Sequence, residues 1–97
     1  MAKRTNTYRL YLEPVSLSKE DTPLPAPLQI QFNNHDEIFE IIERIKAKAL
    51  FENEGDATEF AIGLKLFSEV MIRNRNHPLF AELAPHFSEF MKKLKSF

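Results

Sequence analysis

The sequence predicts an α+β fold in which two antiparallel strands precede three helices. Three observations support this prediction. Near the N-terminus, apolar residues recur at every second position in two short segments, which is typical of half-buried strands. From residue 34 onward the apolar period lengthens to that of an amphipathic helix. Prolines stand between several of these segments and mark their ends.

The two strands are predicted over residues 7–13 and 28–33. The face of the first strand that we expect to be buried carries Tyr8, Leu10 and Leu12. The corresponding face of the second strand carries Leu28, Ile30 and Phe32. Because both segments alternate and follow one another along the chain, we expect them to pair antiparallel with these two faces toward the core.

The segments around the strands predict irregular structure. Residues 15–27 are rich in proline, which cannot donate to a β-ladder, so they predict a loop that is mobile around Lys19–Thr22. Residues 1–6 are predicted to form a flexible N-terminus. No repeat or shift of composition marks an internal boundary, and residues 1–97 therefore predict a single domain.

The first helix is predicted over residues 35–51. Asn34 can cap its N-terminus, and Glu37 stands three residues later, as the partner in a capping box does. We expect Asn53–Gly55 to end this helix and to turn the chain.

The second helix is predicted over residues 57–75, with Asp56 and Glu59 forming a second capping-box pattern. Its apolar arc is wide, which predicts a central helix with several neighbours. Gly63 lies in its interior, where glycine costs about 1 kcal/mol relative to alanine. We expect the close approach of another backbone to explain this glycine.

The third helical region is predicted over residues 78–96, with a break near Pro85. Pro78 suits the first helical position, whereas a proline further inside interrupts a helix. Most of the nine phenylalanines fall on apolar faces and are expected in the core. Phe51 and Phe97 fit this pattern least well.

The composition excludes several kinds of site. The chain has no cysteine, so disulfides, iron–sulfur clusters and thiolate zinc sites are ruled out. No apolar stretch has the length of a signal peptide or approaches the roughly 20 residues that cross a bilayer. We therefore expect a cytoplasmic protein that does not enter the membrane.

The formal charge is −1, so the chain has no overall field that attracts nucleic acid. The charge is unevenly distributed, however. Residues 36–56 contain seven acidic and three basic residues, whereas residues 57–97 contain four acidic and six basic residues. This distribution predicts a dipolar surface that favours protein contacts or self-association over phosphate binding.

No combination of residues forms a catalytic or metal-binding signature. The three histidines, His35, His77 and His86, are not spaced as a local pair of metal ligands, and we expect them to be caps or surface residues. Three acidic residues at every third position of the first helix predict a solvated strip, namely Glu37, Glu40 and Glu43. There is neither a nucleophile elbow nor a glycine-rich phosphate loop. The sequence thus predicts no catalytic, cofactor-binding or metal-binding residues, and we expect a protein that is not an enzyme.

Two surfaces are candidates for interaction with an unidentified protein partner or with a second copy. The first is a face of the second helix that carries Ile62, Lys65, Glu69 and Arg73, where an apolar residue lies among charged ones. The second is the edge of the two-stranded sheet, because a lone pair of strands leaves two edges unpaired. Pairing of edge strands between two copies would give a four-stranded sheet. We therefore expect a non-enzymatic interaction or regulatory domain that forms a homodimer.

Two alternative functions remain open. A pocket between sheet and helices could bind a small ligand or support a minor enzymatic activity, with Tyr11, Arg75 and His77 as polar anchors. A basic patch could bind nucleic acid weakly, although the acidic first helix and the absence of a known reading motif argue against it. The residues of this patch are Arg73, Arg75, Lys92, Lys93 and Lys95.

Nearly the whole chain, from Thr7 to Lys95, resembles one small bacterial family of about this length. The resemblance rests on the opening Tyr8–Pro14 and on the runs Gly63–Met71, His77–Leu83 and Phe90–Leu94. That family is a domain of unknown function without assigned catalytic residues. The resemblance implies a bacterial cytoplasmic origin and an intact domain, and it supplies no active site.

Overall fold

The structure is a computed structural model that describes residues 4–19 and 21–97. Its elements are β1 (Asn6–Leu12), β2 (Leu28–Asn34), α1 (Ile38–Ala47), α2 (Glu54–Arg73), α3 (Pro78–Ala81) and α4 (Leu83–Ser96). The predicted α+β class, with two N-terminal strands followed by helices, is confirmed. The chain divides into two compact units, Met1–His35 and Asp36–Phe97, which we call the hairpin unit and the helical unit.

In the hairpin unit, β1 and β2 pair antiparallel, as predicted. The register places Tyr8 opposite Phe32, Leu10 opposite Ile30 and Leu12 opposite Leu28. All six apolar side chains therefore share one face of the hairpin, since alternate residues of a strand point to the same side. The rings of Tyr8 and Phe32 lie 5.7 Å apart at the end of the hairpin where β1 begins.

The ends of the hairpin differ slightly from the prediction. Asn6, which we expected to be flexible, is the first residue of β1, while residues 1–3 lie outside the described residues. The predicted loop over residues 15–27 contains no helix or strand among its described residues, and Asp21 there has a φ of 65°. Glu20, in the segment predicted to be mobile, also lies outside the described residues.

The start of α1 corrects the predicted capping box. Asn34 pairs with Asn6 at the end of the β-ladder and is the last residue of β2, four residues before α1 begins. Glu37 is the N-cap instead: its backbone is extended and its carboxylate accepts a hydrogen bond of 3.1 Å from the N–H of Phe39. The helix consequently begins at Ile38, three residues later than predicted.

The junction between α1 and α2 also differs from the prediction. The first helix ends at Ala47, and the chain turns at Ala49, whose φ is 52°. The N-cap of α2 is Asn53, because its extended backbone lets its side chain accept a 2.8 Å hydrogen bond from the N–H of Gly55. Gly55 therefore lies inside α2 instead of turning the chain, and the predicted cap Asp56 lies in the first helical turn.

The predicted break in the last helical region is confirmed, although it falls at Glu82 instead of Pro85. His77 is the N-cap of α3, since its Nδ1 accepts a 3.0 Å hydrogen bond from the N–H of Leu79. Pro85 is the third residue of α4. A proline is tolerated in this first turn because the N–H groups there have no partner within the helix.

The core of the helical unit lies between α1 and α2. The buried apolar residues of α1 are Ile38, Ile42 and Ile45, and those of α2 are Ala57, Ala61, Leu64 and Met71. Gly63 is exposed, and a Cβ added to it would meet nothing within 4 Å. The expectation that close packing explains Gly63 is therefore wrong.

The second contact surface of α2 is aromatic and faces the last two helices. Six phenylalanines and His77 form a continuous series of ring contacts, with successive centroids 5.6–6.3 Å apart. The order of the series is Phe51, Phe60, Phe90, Phe87, Phe67, Phe80 and His77. Because α2 contacts both α1 and α4, it is the central helix of this unit, as its wide apolar arc predicted.

None of the helices formed by the described residues combines the length and the apolar character that a membrane crossing requires.

Candidate interaction surfaces

The predicted interaction face of α2 is largely occupied by contacts within the helical unit. The Nζ atom of Lys65 lies 2.8 Å from Oδ2 of Asp36, and the Lys65 side chain is only 13% exposed. Ile62 and Glu69 are half-buried, whereas Arg73 is exposed at the end of the helix. The four residues therefore do not form one open surface, and Arg73 is the most accessible of them.

The distal end of the hairpin, which we define by the pairs Leu10–Ile30 and Leu12–Leu28, exposes its apolar face. Leu12 and Leu28 lie opposite each other and are 62% and 57% exposed, and Ile30 is 40% exposed. The expectation that these side chains are buried is wrong at this end of the hairpin. The alternation along a strand identifies which side chains share a face. It does not show whether another part of the chain covers that face.

Both outer edges of the hairpin lack a neighbouring strand. Among the described residues the sheet contains β1 and β2 alone, so each strand has one edge without a strand partner. The side chains of β2 are uncharged throughout, whereas β1 carries Arg9. Charged residues on an edge strand are a usual protection against pairing with another chain, and β2 has none.

The predicted basic patch falls into two groups. Arg73 and Arg75 lie at the C-terminal end of α2 and just beyond it, while Lys92, Lys93 and Lys95 lie in the last turns of α4. The contact between Phe60 and Phe90 places those last turns near the beginning of α2. From Phe60 to Arg73 the helix advances about 20 Å along its axis. All five side chains are exposed, but the structure does not bring them together.

The predicted polar anchors likewise lie in different places. Arg75 and His77 line an open concave surface of about 650 Å³ formed by residues 72–77. Those residues form one continuous segment, and each of them is exposed. The imidazole of His77 is already engaged as the cap of α3. Tyr11 belongs to the hairpin unit, where it is exposed on β1.

A second concave surface was missed by the sequence analysis. It has a volume of about 470 Å³ and lies where the end of α4 meets α2 and the segment after α1. Its wall is apolar apart from one lysine, and the residues that form it are Leu50, Phe51, Phe60, Phe90, Lys93, Leu94 and Phe97. We call it the aromatic cavity. Phe51 and Phe97, the two phenylalanines that fitted the core pattern least well, both line it.

The described residues contain no group of three or more histidine, aspartate or glutamate side chains that could hold a metal ion. His35 and His86 are exposed, and His86 is the fourth residue of α4, in its first turn. Glu40 of the predicted acidic strip is exposed and forms an i,i+4 pair with Arg44 at 2.7 Å.

Two antiparallel strands followed by four helices place the chain in the class of small α+β proteins. Residues 6–96 match the model of DUF3861, a domain of unknown function with a solved structure, and the chain belongs to that family. The chain is also similar to a crystal structure, determined at 2.20 Å resolution, of a protein of unknown function from Pectobacterium atrosepticum. The two are 32% identical with a TM-score of 0.82, covering 97% of this chain and 100% of that one. The resemblance to a bacterial family of unknown function is thus confirmed. No curated protein matches the chain.

Proposed function

We propose that the chain is a non-enzymatic interaction domain of the bacterial cytoplasm that forms a homodimer through its hairpin unit. The observation that supports this proposal best is the exposed leucine pair, Leu12 and Leu28, at the distal end of the hairpin. Single exposed apolar residues are common on soluble proteins, but adjacent ones on one face favour an interaction site. Ile30 extends this exposed apolar surface toward the middle of β2.

The backbone of the hairpin supports the same proposal. A two-stranded sheet is marginally stable alone, and its outer edges expose unpaired backbone donors and acceptors. Pairing with a strand from a second molecule satisfies these groups and covers the neighbouring leucines at the same time. A homodimer needs no further component, since an interface about a two-fold axis uses the same patch twice.

The helix face around Lys65 is the weaker of the two surfaces predicted from the sequence. Lys65 is already paired with Asp36 at 2.8 Å, so a partner that used this ammonium group would have to compete with that carboxylate. A partner that binds the distal end of the hairpin contacts apolar side chains and does not have to compete with a carboxylate for a lysine. We therefore assign the interface to the hairpin.

Sedimentation velocity over a range of concentrations tests the proposal. We expect a monomer–dimer equilibrium that Leu28→Ser shifts toward monomer, raising the dimer Kd by at least about tenfold, because each copy loses one leucine from the interface. Leu79→Ser is the matched control, since Leu79 is an even more exposed leucine on α3, in the other unit. A wild-type chain that stays monomeric at about 1 mM, or an equal effect of the two substitutions, would contradict the proposal.

A second candidate function is the binding of a small apolar anion in the aromatic cavity. Its volume falls within the range of roughly 300–1,000 Å³ that is typical of ligand sites. Lys93 is the cationic group of its wall. Titration with octanoate, followed by NMR, should shift the signals of Phe60 and Phe90, and Lys93→Gln should weaken the effect. Octanol, which has the same chain without the charge, is the control; if it bound equally well, the role of Lys93 would be rejected.

A further inference from the structure

We infer that the dimer forms through the outer edge of β2, which pairs antiparallel with β2 of the second copy about a two-fold axis at Ile30. This inference rests on the proposed homodimer and adds which strand pairs and in which register. The occupant of the edge is therefore a second copy of this chain.

The first argument is the absence of charge on β2. The strand Leu28–Asn34 contains glutamine, asparagine and apolar side chains only. When two identical strands pair about a two-fold axis, every residue meets a residue of the same short segment, so a charged strand brings like charges close together. An uncharged strand avoids this repulsion in every register.

The second argument is the match of side chains when Ile30 lies on the axis. Ile30 then faces its own copy, and Leu28 faces the partner's Phe32. Gln29 on the opposite face of the sheet meets the partner's Gln31, and primary amides can both donate and accept hydrogen bonds. Exposed apolar residues thus meet apolar residues, while polar residues meet polar ones.

The other edge is less suitable. Pairing of β1 with a second β1 brings Arg9 close to its own copy unless the register places Arg9 opposite Glu13. That register needs Glu13 to lie within the strand, but β1 ends at Leu12. Pro14 follows immediately and has no N–H to donate to a ladder.

Charge substitutions on β2 test the choice of edge in the full-length chain. In the double variant Gln29→Glu/Gln31→Glu, each new carboxylate lies directly opposite another across the proposed interface. We expect the dimer Kd to rise by at least about tenfold, because like charges directly opposite each other destabilise strand pairing. The hairpin itself should remain folded, since position 31 lies opposite Arg9 within the same molecule.

Mixing supplies the complementary result. When the glutamate variant is mixed with Gln29→Lys, which leaves position 31 uncharged opposite Arg9, the new lysine faces a glutamate of the partner and we expect a heterodimer to form. Arg9→Gln is the control on the other strand and should leave the Kd within about twofold of the wild type. If Arg9→Gln tightened the dimer while the glutamate variant matched the wild type, the paired edge would be that of β1.

Cross-linking tests the register, and the cysteine-free chain gives no background. A residue on the axis of an antiparallel pair lies about 4.5–5.5 Å from its own copy, which is within the Cα separation of a disulfide. We expect Ile30→Cys to form a covalent dimer rapidly under mild oxidation. Leu10→Cys, opposite Ile30 in the same hairpin, should form it at least about tenfold more slowly.

The outcomes separate the two proposals. A monomeric wild-type chain removes the homodimer and this inference together. A wild-type dimer that tolerates Gln29→Glu/Gln31→Glu and does not cross-link through Ile30→Cys removes this inference and leaves the homodimer intact. Faster cross-linking of Gln31→Cys than of Ile30→Cys would overturn the proposed register.

Discussion

The ammonium group of Lys65 on α2 lies 2.8 Å from a carboxylate oxygen of Asp36, the residue with which the helical unit begins. The lysine side chain is mostly buried, whereas the aspartate is about half exposed. The pair therefore ties the chain that leads into α1 to the middle of α2. It is also the ion pair among those described that is most protected from solvent.

Loss of the Asp36 carboxylate should destabilise the protein. Asp36→Asn removes the carboxylate that lies 2.8 Å from a mostly buried ammonium group, so we expect the free energy of unfolding to fall by about 1 kcal/mol. Glu40→Gln is the matched control, because its pair with Arg44 is equally short but exposed on both sides, and such pairs contribute about 0.5 kcal/mol or less. Urea unfolding of both variants measures the difference. Equal losses would show that burial of Lys65 does not strengthen its pair.

Glycine at position 49 should stabilise the protein. Ala49 has a φ of 52°, and this left-handed conformation costs residues with a Cβ roughly 1–2 kcal/mol but costs glycine nothing. After allowing for the greater freedom of glycine in the unfolded chain, we expect Ala49→Gly to gain about 0.5–1 kcal/mol. Ala47→Gly makes the same chemical change at the last residue of α1 and should lose about 0.5 kcal/mol or less. Chemical denaturation of the two variants should therefore give changes of opposite sign, and a loss at position 49 would contradict the prediction.

Alanine at position 63 should also stabilise the protein. Gly63 lies in the interior of α2 and has open space around it, so alanine gains helix propensity of about 1 kcal/mol without a steric cost. Gly55→Ala is the comparison, because its new Cβ would lie 3.1 Å from Oδ1 of the cap Asn53 and would press on it. We expect the gain at position 55 to be smaller than that at position 63 in thermal or urea unfolding. Destabilisation by Gly63→Ala would reveal a constraint on this glycine other than the packing around it.

Truncation of Phe67 should weaken the contact between α2 and the last two helices. Its ring meets Phe80 at 6.1 Å and Phe87 at 5.9 Å, both edge-on. Because the ring is also partly exposed, we expect Phe67→Ala to cost about 2 kcal/mol, below the usual cost for a fully buried phenylalanine. Phe97→Ala removes a ring that is 66% exposed and should cost less than about 1 kcal/mol. Near-UV circular dichroism during unfolding follows these rings, and similar losses for the two variants would contradict the proposed role of Phe67.

Helix ends show where sequence reasoning fails in this chain. Asn34 and Glu37 form a plausible capping box by spacing, but Asn34 is the last residue of β2 and Glu37 itself is the N-cap of α1. Near α2, both Asn53 and Asp56 can cap a helix, and the sequence provided no means of choosing between them. The choice depends on which of the two residues has an extended backbone, and in the structure that residue is Asn53, whereas Asp56 lies within α2.

The sequence by itself determined the order of strands and helices, the antiparallel hairpin and the central place of α2, because these follow from side-chain periodicity within single segments. The tertiary structure alone decided which polar and apolar groups are accessible. It pairs Lys65 with Asp36 and leaves Leu12 and Leu28 exposed. It also places Arg73 at the end of α2 and Lys93 near the beginning of α2. Accessibility depends on contacts between segments that are distant in the chain, and the spacing of residues within one segment does not encode those contacts.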